Sequence, residues 1–385
     1  METMTTRERI RATIKREPVD RLSLCVDTFC HGGVTFLDRR YPDPFEHARY
    51  LMGLGLDTGI ELSYPLGDLP DSIAVRQWRE ERSGAYPLLY KEYATPRGNL
   101  RQVVRQTPDY PQEINLASDH NVPPTRSKEY LVSAAEDLDK LECMFGSLNN
   151  RAVESYRQQA RQARTFCDKH QLTLAAYSWG VGDPLIWFSG IEGVLMMAMT
   201  EKEMLSRYVA IMADWHRKTM EVAIDAGVDH FLRRGWYEST DFWSPWLYEE
   251  FLLGPLKREV ELAHQAGCTF GYVMASGATP LLSYIREAGV DIYSNIDPLA
   301  PNTDLRHIRD EIGDSVTLCG GLNNYETLEQ KPADEVRRAV LEAIEILTPP
   351  AGCILAPADS LYLGDPATIE RNFHVMVDTW KEAVW

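Results

Sequence analysis

Acidic, basic and aromatic residues recur where short β-branched runs of the chain end. The run near residue 24 ends in Asp27, Thr28, Phe29, Cys30 and His31, and the run near 60 in Glu61, Ser63 and Tyr64. The run near 175 ends in Tyr177, Ser178, Trp179 and Asp183; that near 231 ends in Arg233, Arg234, Trp236, Tyr237 and Glu238. Later runs give Tyr272, Met274 and Ser276, then Ser294, Asn295 and Asp297, then Cys319, Asn323 and Asn324, then Asp359 and Ser360. Asp27, Glu238, Asp297 and Asp359 have the chemistry of general acids or bases, or of ligands for a metal or a cation. Arg233 and Arg234 suit a carboxylate. Trp179, Trp236, Tyr237 and Tyr272 suit a flat or apolar ligand. Each type also has a structural use. An Asp after a strand often closes a turn, one of two adjacent arginines often joins a structural ion pair, and Cys319 before Gly320-Gly321 suits a small buried residue. His31 has Cys30 and His47 near it in sequence but no regular ligand spacing.

The elements that must position these residues alternate in a regular way. Helical stretches at 134–143, 150–170, 190–199 and 201–226 precede or separate the runs, and SPWLYEEFLLGPLKREVELAHQAG reads as one further helix. An opening helix from Thr6 to about Glu17, capped by Thr5 or Thr6, stops before Pro18. Strand–helix alternation forces parallel strands joined by crossover helices. Runs near 24, 60, 175, 231, 271, 293, 317 and 355 give the count that closes a (β/α)8 TIM barrel. The alternative is an open doubly wound sheet, but no G-x-G-x-x-G follows the first run and no P-loop occurs. The class is therefore α/β, with an N-terminal elaboration. Residues 66–130 depart from the pattern: alternating apolar residues around a Pro96-Arg97-Gly98 turn predict a β-hairpin, followed by a loop. The whole chain, 1–385, reads as one barrel domain carrying this insertion.

The composition narrows the function classes. The chain carries 40 basic and 57 acidic residues, a net charge of −17, which argues against a general nucleic-acid binder or an anionic membrane surface. No apolar stretch has the length of a membrane span, and the charged N-terminus lacks a signal-peptide core, so a cytoplasmic protein is expected. Seven scattered cysteines, without a C-x-x-C pair, predict reduced and mostly buried thiols.

Several segments in order then resemble the uroporphyrinogen decarboxylase superfamily, which also contains cobalamin-dependent methyltransferases. They are RERIRATIKREPVDRLSL, YATPRGNLRQVV, SPWLYEEFLLGPLKREVELAHQAG, ATPLLSYIREAGVDIYSNIDP, VTLCGGLNNYETLEQKPADEVRRAV and GCILAPADSL. The resemblance implies the barrel and its N-terminal elaboration. It also marks departures. The arginine-rich motif that binds a polycarboxylated porphyrinogen is replaced by CVDTFCHGGVTF, with no arginine before Arg39. The H-x-C-G motif of the methyltransferase branch is replaced by Val273-Met274-Ala275-Ser276, and its last-strand cysteine by Asp359, so the usual zinc ligands are absent. Glu238, Asp297, Cys319 and Asp359 remain as candidates for a harder divalent metal.

The resemblance and the residues together predict a corrinoid-linked methyltransferase acting on a small methoxylated aromatic or methylammonium substrate. The corrinoid would be carried by a partner protein. Glu238, Asp359 or Tyr272 would activate the leaving group, with Asp27, Trp179, Arg233, Trp236, Tyr237 and Asn323 binding the substrate, and Glu238, Cys319 and Asp359 holding any metal. A decarboxylase of a smaller carboxylated substrate would instead aim Arg233 or Arg234 inward beside Asp27. A non-catalytic binding barrel would have its strand-end acids held in structural ion pairs. Relatives of this kind are often homodimers, and the tail with Trp380, Val384 and Trp385 could cover its own barrel or a neighbour's.

Overall fold

A computed structural model describes residues 3–30, 33–64, 68–108, 126–274, 276–348 and 352–383. His31, most of the 105–130 loop (109–125), Ala275, Val384 and Trp385 lie outside the described residues. Each of the eight apolar runs forms a strand of one parallel sheet. In chain order these are β1 (Ser23–Leu24), β2 (Gly59–Ser63), then, after an antiparallel sheet of β3 (Ala74–Glu80), β4 (Leu88–Thr95), β5 (Gly98–Arg105) and β6 (Ser127–Glu129), the strands β7 (Thr173–Trp179), β8 (His230–Arg234), β9 (Thr269–Val273), β10 (Ile292–Ile296), β11 (Thr317–Leu322) and β12 (Cys353–Pro357). The parallel order is β1-β12-β11-β10-β9-β8-β7-β2. The two end strands meet through Asp57 N–H, which donates to Leu24 C=O at 3.0 Å, and this bond completes the ring. The fold is a TIM-type barrel, as the alternation predicts. The hairpin expected in 66–130 is part of the four-stranded antiparallel sheet. Among the described residues no helix is long and apolar enough to cross a membrane.

The first helix, Thr6–Lys15, closes one end of the barrel. Thr5 and Glu8 form a reciprocal capping box at its start, and Arg16 ends it in the left-handed conformation, before Pro18 is reached. Ile10 and Ile14, one turn apart, pack with Cys25, Phe29, Ile292, Cys319 and Ile354 in a cluster separate from the main core. Those partners come from β10, β11, β12 and the end of β1, so this cluster is the barrel interior. The larger core lies between the sheet and its helices and includes Phe231, Phe270, Tyr272 and Tyr293.

Two helices differ from the sequence expectation. The helix expected at 190–199 begins earlier, spanning Gly182–Thr200 with a kink at Gly190, whose φ of 72° is a left-handed value. A Cβ there would lie 2.5 Å from Tyr130, so the kink also needs glycine's missing side chain. The stretch after Ser244 is not one regular helix: a π-turn over Glu249–Leu253 interrupts it. Pro255 follows, and its ring nitrogen cannot supply the N–H that a regular helix would donate to Phe251.

Below the barrel, Arg9 is 1% exposed and Asp57 is fully buried. Arg9 donates to Asp20 at 2.6 Å, to Met4 C=O at 2.5 Å and to Asp57. Arg21 reaches the same Asp57 oxygen at 3.3 Å. Arg9→Ala would leave the Asp57 carboxylate with that long contact as its remaining ion pair. Urea unfolding of this variant is expected to show a loss of about 3–5 kcal/mol, the usual result of breaking one side of a buried pair.

Candidate active site

In a parallel sheet, residues in register share a face, and the next residue along points the other way. One register row runs Trp179, Arg234, Val273, Ser294 and Cys319 across β7 to β11. Cys319 belongs to the interior cluster, so Arg234 and Trp179 face the barrel interior. The adjacent row, Ser178, Arg233 and Tyr272, faces the helices. The two adjacent arginines therefore project to opposite sides of one strand.

On the outer side, Arg233 is fully buried in a closed ionic network. Its Nε and Nη2 donate to the two Glu238 oxygens at 2.9 and 2.6 Å, and its Nη1 donates to Glu259 at 3.1 Å. Glu238 also accepts from Gly182 N–H at 2.7 Å and from the Tyr272 hydroxyl at 2.6 Å. Tyr248 donates to the Tyr272 oxygen at 3.2 Å. A Cβ on Gly180 or Gly235 would lie 2.5 Å from the Glu238 carboxylate, so backbone closes over it. Burial opposes the charge on Arg233, but Glu238 and Glu259 hold its proton well above the ordinary value. Burial would raise Glu259, yet Arg233 and His216 bring it below the usual carboxylate value. Glu238, Tyr272 and Arg233, expected at the site, are thus placed in the layer between sheet and helices. Their polar atoms are taken up by one another.

The inner side carries a different group. Arg234 pairs with Glu61, on β2, and its guanidinium carbon lies 3.5 Å from the centre of the Tyr177 ring. Glu61 Oε2 and Arg234 Nε are buried without a hydrogen-bond partner. Burial pushes Glu61 up to about 7, against the pull of Arg234 and with the help of Asp27. Asp27 accepts from Thr58 at 2.6 Å and Thr28 at 2.9 Å, yet burial still raises it. Trp179 stands edge-on to Tyr177 and to Trp187, at 6.4 and 5.3 Å between ring centres. Trp187 meets Tyr237, and Tyr237 meets Phe242. The loop bearing Trp236 and Tyr237 is fixed by Asp183, which accepts both backbone N–H groups, at 3.1 and 3.4 Å. Asp27, Trp179, Trp236 and Tyr237 thus lie at the mouth ends of β1, β7 and β8, as expected from the sequence.

The remaining expected residues sit apart. Asn323 donates to both Asp297 oxygens at 3.0 Å, while its own oxygen caps the following turn by accepting from Glu326 and Thr327. It is a cap, and the Asn-x-x-Glu spacing of Asn323 and Glu326 is the signal for it. Asp359 is half-buried after β12 and accepts from the next backbone N–H, that of Ser360, at 2.6 Å. Cys319 is buried against Phe29 C=O, and burial raises its thiol to about 12. Glu238, Cys319 and Asp359 do not make a metal site. The Glu238 oxygens are bound to Arg233 on the outer face, Cys319 is a protonated thiol inside the barrel, and no group of three such donors converges among the described residues.

The sequence places Glu61, Tyr177 and Arg234 at strand ends but does not single out the Glu61–Arg234 pair or the Tyr177 ring against it. On β2, Ile60 and Leu62 flank Glu61, and that alternation marks Glu61 as inward when the apolar pair faces the helices.

The fold defines a barrel with its polar site at the strand ends. A family model for uroporphyrinogen decarboxylase matches residues 173–383, more than half of the chain. The chain belongs to that family. Among solved structures, a methyltransferase from Methanosarcina mazei is similar over 98% of this chain and 99% of that one, with a TM-score of 0.63 and 16% identity. A B12-independent methionine synthase from Shewanella sp. W3-18-1, in complex with selenomethionine, gives a TM-score of 0.48 and 9% identity over 94% and 95% of the two chains. Among curated proteins no sequence relative matches. At these identities the likeness concerns fold.

The Glu61 carboxyl has a stability signature. Its pKa in the folded chain, about 7, exceeds its ordinary value of 4.5, so the folded state binds the extra proton. That contribution is complete below about 4.5 and is lost as pH rises through 7. Between pH 5 and 8, urea unfolding should show the wild type losing about 2–3 kcal/mol more than Glu61→Gln.

Proposed function

We propose that this chain is a methyltransferase that removes the methyl group of a small methoxylated aromatic compound and delivers it to a corrinoid carried by a partner protein. The observation that supports this reading is the pair of raised carboxyls, Asp27 and Glu61, beside the inner aromatic groups Tyr177 and Trp179. When the methyl–oxygen bond of an aryl ether breaks, the bonding electrons stay on oxygen, which must gain a proton. Glu61 holds a proton on part of the population near neutrality, and its Oε2 has no protein partner. It is the group we assign as general acid. A quaternary amine would leave as a neutral amine and need no proton, so the acid site favours the methoxylated class. Arg234 holds Glu61 in place through Oε1, and the aromatic edges of Tyr177 and Trp179 flank the ring-binding space.

The corrinoid supplies the nucleophile that takes the methyl group. A partner protein would approach the mouth, where Leu299, Tyr325, Tyr362 and Leu363 are large exposed side chains on the segments after β10, β11 and β12. A second reading, decarboxylation of a small carboxylate, is favoured by the inward Arg234 with its free Nε beside two acids.

The test offers methoxyphenols and methoxybenzoates to the purified chain with chemically reduced cobalamin. Loss of the cob(I)alamin spectrum with release of the demethylated phenol is the expected result. Glu61→Gln should lower the rate by about 10²–10⁴-fold, the range for a missing general acid, and the wild-type rate should fall as pH rises through about 7. Release of carbon dioxide from carboxylated substrates without methyl transfer would select the decarboxylase reading.

A further inference from the structure

The barrel's other end holds a cavity of about 500 Å³, formed by segments 3–9, 52–56, 170–172 and 380–383 with Arg21. Residues 21, 56 and 172 lie within three positions before the starts of β1, β2 and β7, so the cavity opens on the face opposite the candidate active site. Its walls are cationic in a chain of net charge −17. Arg9 is neutralised by Asp20 and Asp57. Arg21 is only partly so: among the described residues its ion pair is the 3.3 Å contact to Asp57, through an oxygen it shares with Arg9. Burial and the neighbouring Arg9 both hold the Arg21 guanidinium below its ordinary value. An added negative charge would be stabilised there. Lys381 also lines the cavity, with no ion-pair partner among the described residues, and its stem lies over Gly55. The rest of the wall mixes Thr3, Thr5, Thr6 and His170 with an apolar and aromatic part, Met52, Leu56 and Trp380, whose ring lies under Arg21 at 4.9 Å.

We infer that this cavity is a binding site for a small organic anion, its anionic group held by Arg21 and Lys381 and its apolar body packed on Met52, Leu56 and Trp380. A phosphomonoester or carboxylate of a compact ring fits that description. The site would be regulatory or stabilising, because the barrel separates it from the chemistry. Four segments far apart in sequence form the walls, so an occupant binds the folded chain and must raise its thermal midpoint.

Phenyl phosphate is the probe, titrated into the full chain at 150 mM NaCl and followed by calorimetry and thermal unfolding, with inorganic phosphate in parallel. The expected result is saturable binding, tighter for phenyl phosphate than for phosphate. Lys381→Glu should weaken it by about tenfold or more, as loss of a charge-assisted contact does. Lys331→Glu, an equal charge change at a distant exposed position, should leave it within about twofold. Lys381→Gln separates loss of the contact from added repulsion, and should weaken binding in the same direction. Absence of saturable binding, equal affinity for the two probes, or equal weakening by Lys381→Glu and Lys331→Glu would overturn the inference.

Discussion

Arg233 and Arg234 are neighbours on β8, and the organisation of the molecule follows from their pointing apart. Strand geometry allows no other arrangement, since successive side chains alternate faces. A buried guanidinium must then find an anion on each side of the sheet. On the helix side, Glu238 and Glu259 meet Arg233 and tie the loop after β8 to the helix Gly254–Gln265. On the inner side, Glu61 meets Arg234 across β7 and draws β2 toward β8. Every side-chain polar atom of Arg233 and Glu238 is bonded, although Glu259 keeps one buried oxygen without a hydrogen bond, and their pairing fixes the loop that carries Trp236 and Tyr237. The inner pair leaves one atom of each partner unbonded, Glu61 Oε2 and Arg234 Nε, and it is this pair that faces the barrel interior.

The position of a residue in the sequence predicts its neighbourhood better than its direction. All eight barrel strands were legible because buried parallel strands are near-continuous apolar runs between helices. The family was legible from ordered segments spread along the chain. The side of the sheet was legible on β2, where Ile60 and Leu62 alternate with Glu61. It was not legible on β8, where His230, Phe231, Leu232, Arg233 and Arg234 carry no alternating pattern. Glu238 has the sequence position of an active-site acid. It becomes structural because Gly180, Gly182 and Gly235 let its loop fold back onto the outer layer, an event no local pattern encodes. Asn323 was within reach of sequence reasoning, since its capping spacing was present.

The missing zinc motif and the inner acid pair bear on one another. A Lewis acid and a general acid are alternative ways to stabilise a departing oxygen. By the family resemblance this chain has Val273 and Ala275 where the methyltransferase branch has ligands, and a carboxyl of pKa about 7 three strands away on β2. Under the proposed function, the same family framework would use a proton donor built from β1 and β2, next to aromatic side chains built from β7 and the loop after β8.

The seam of the ring gives the two carboxyls a shared fate. Every other neighbouring pair of barrel strands is joined by at least two residues in register, whereas β1 and β2 meet through the Asp57–Leu24 backbone bond and the Thr58–Asp27 side-chain bond. Asp27 and Glu61 flank that seam, one on each side. Breathing of the barrel is therefore easiest between the two groups whose protonation depends most on being dry. A brief parting of these strands would admit water, return both carboxyls toward their ordinary acidity and reload Glu61 from solvent.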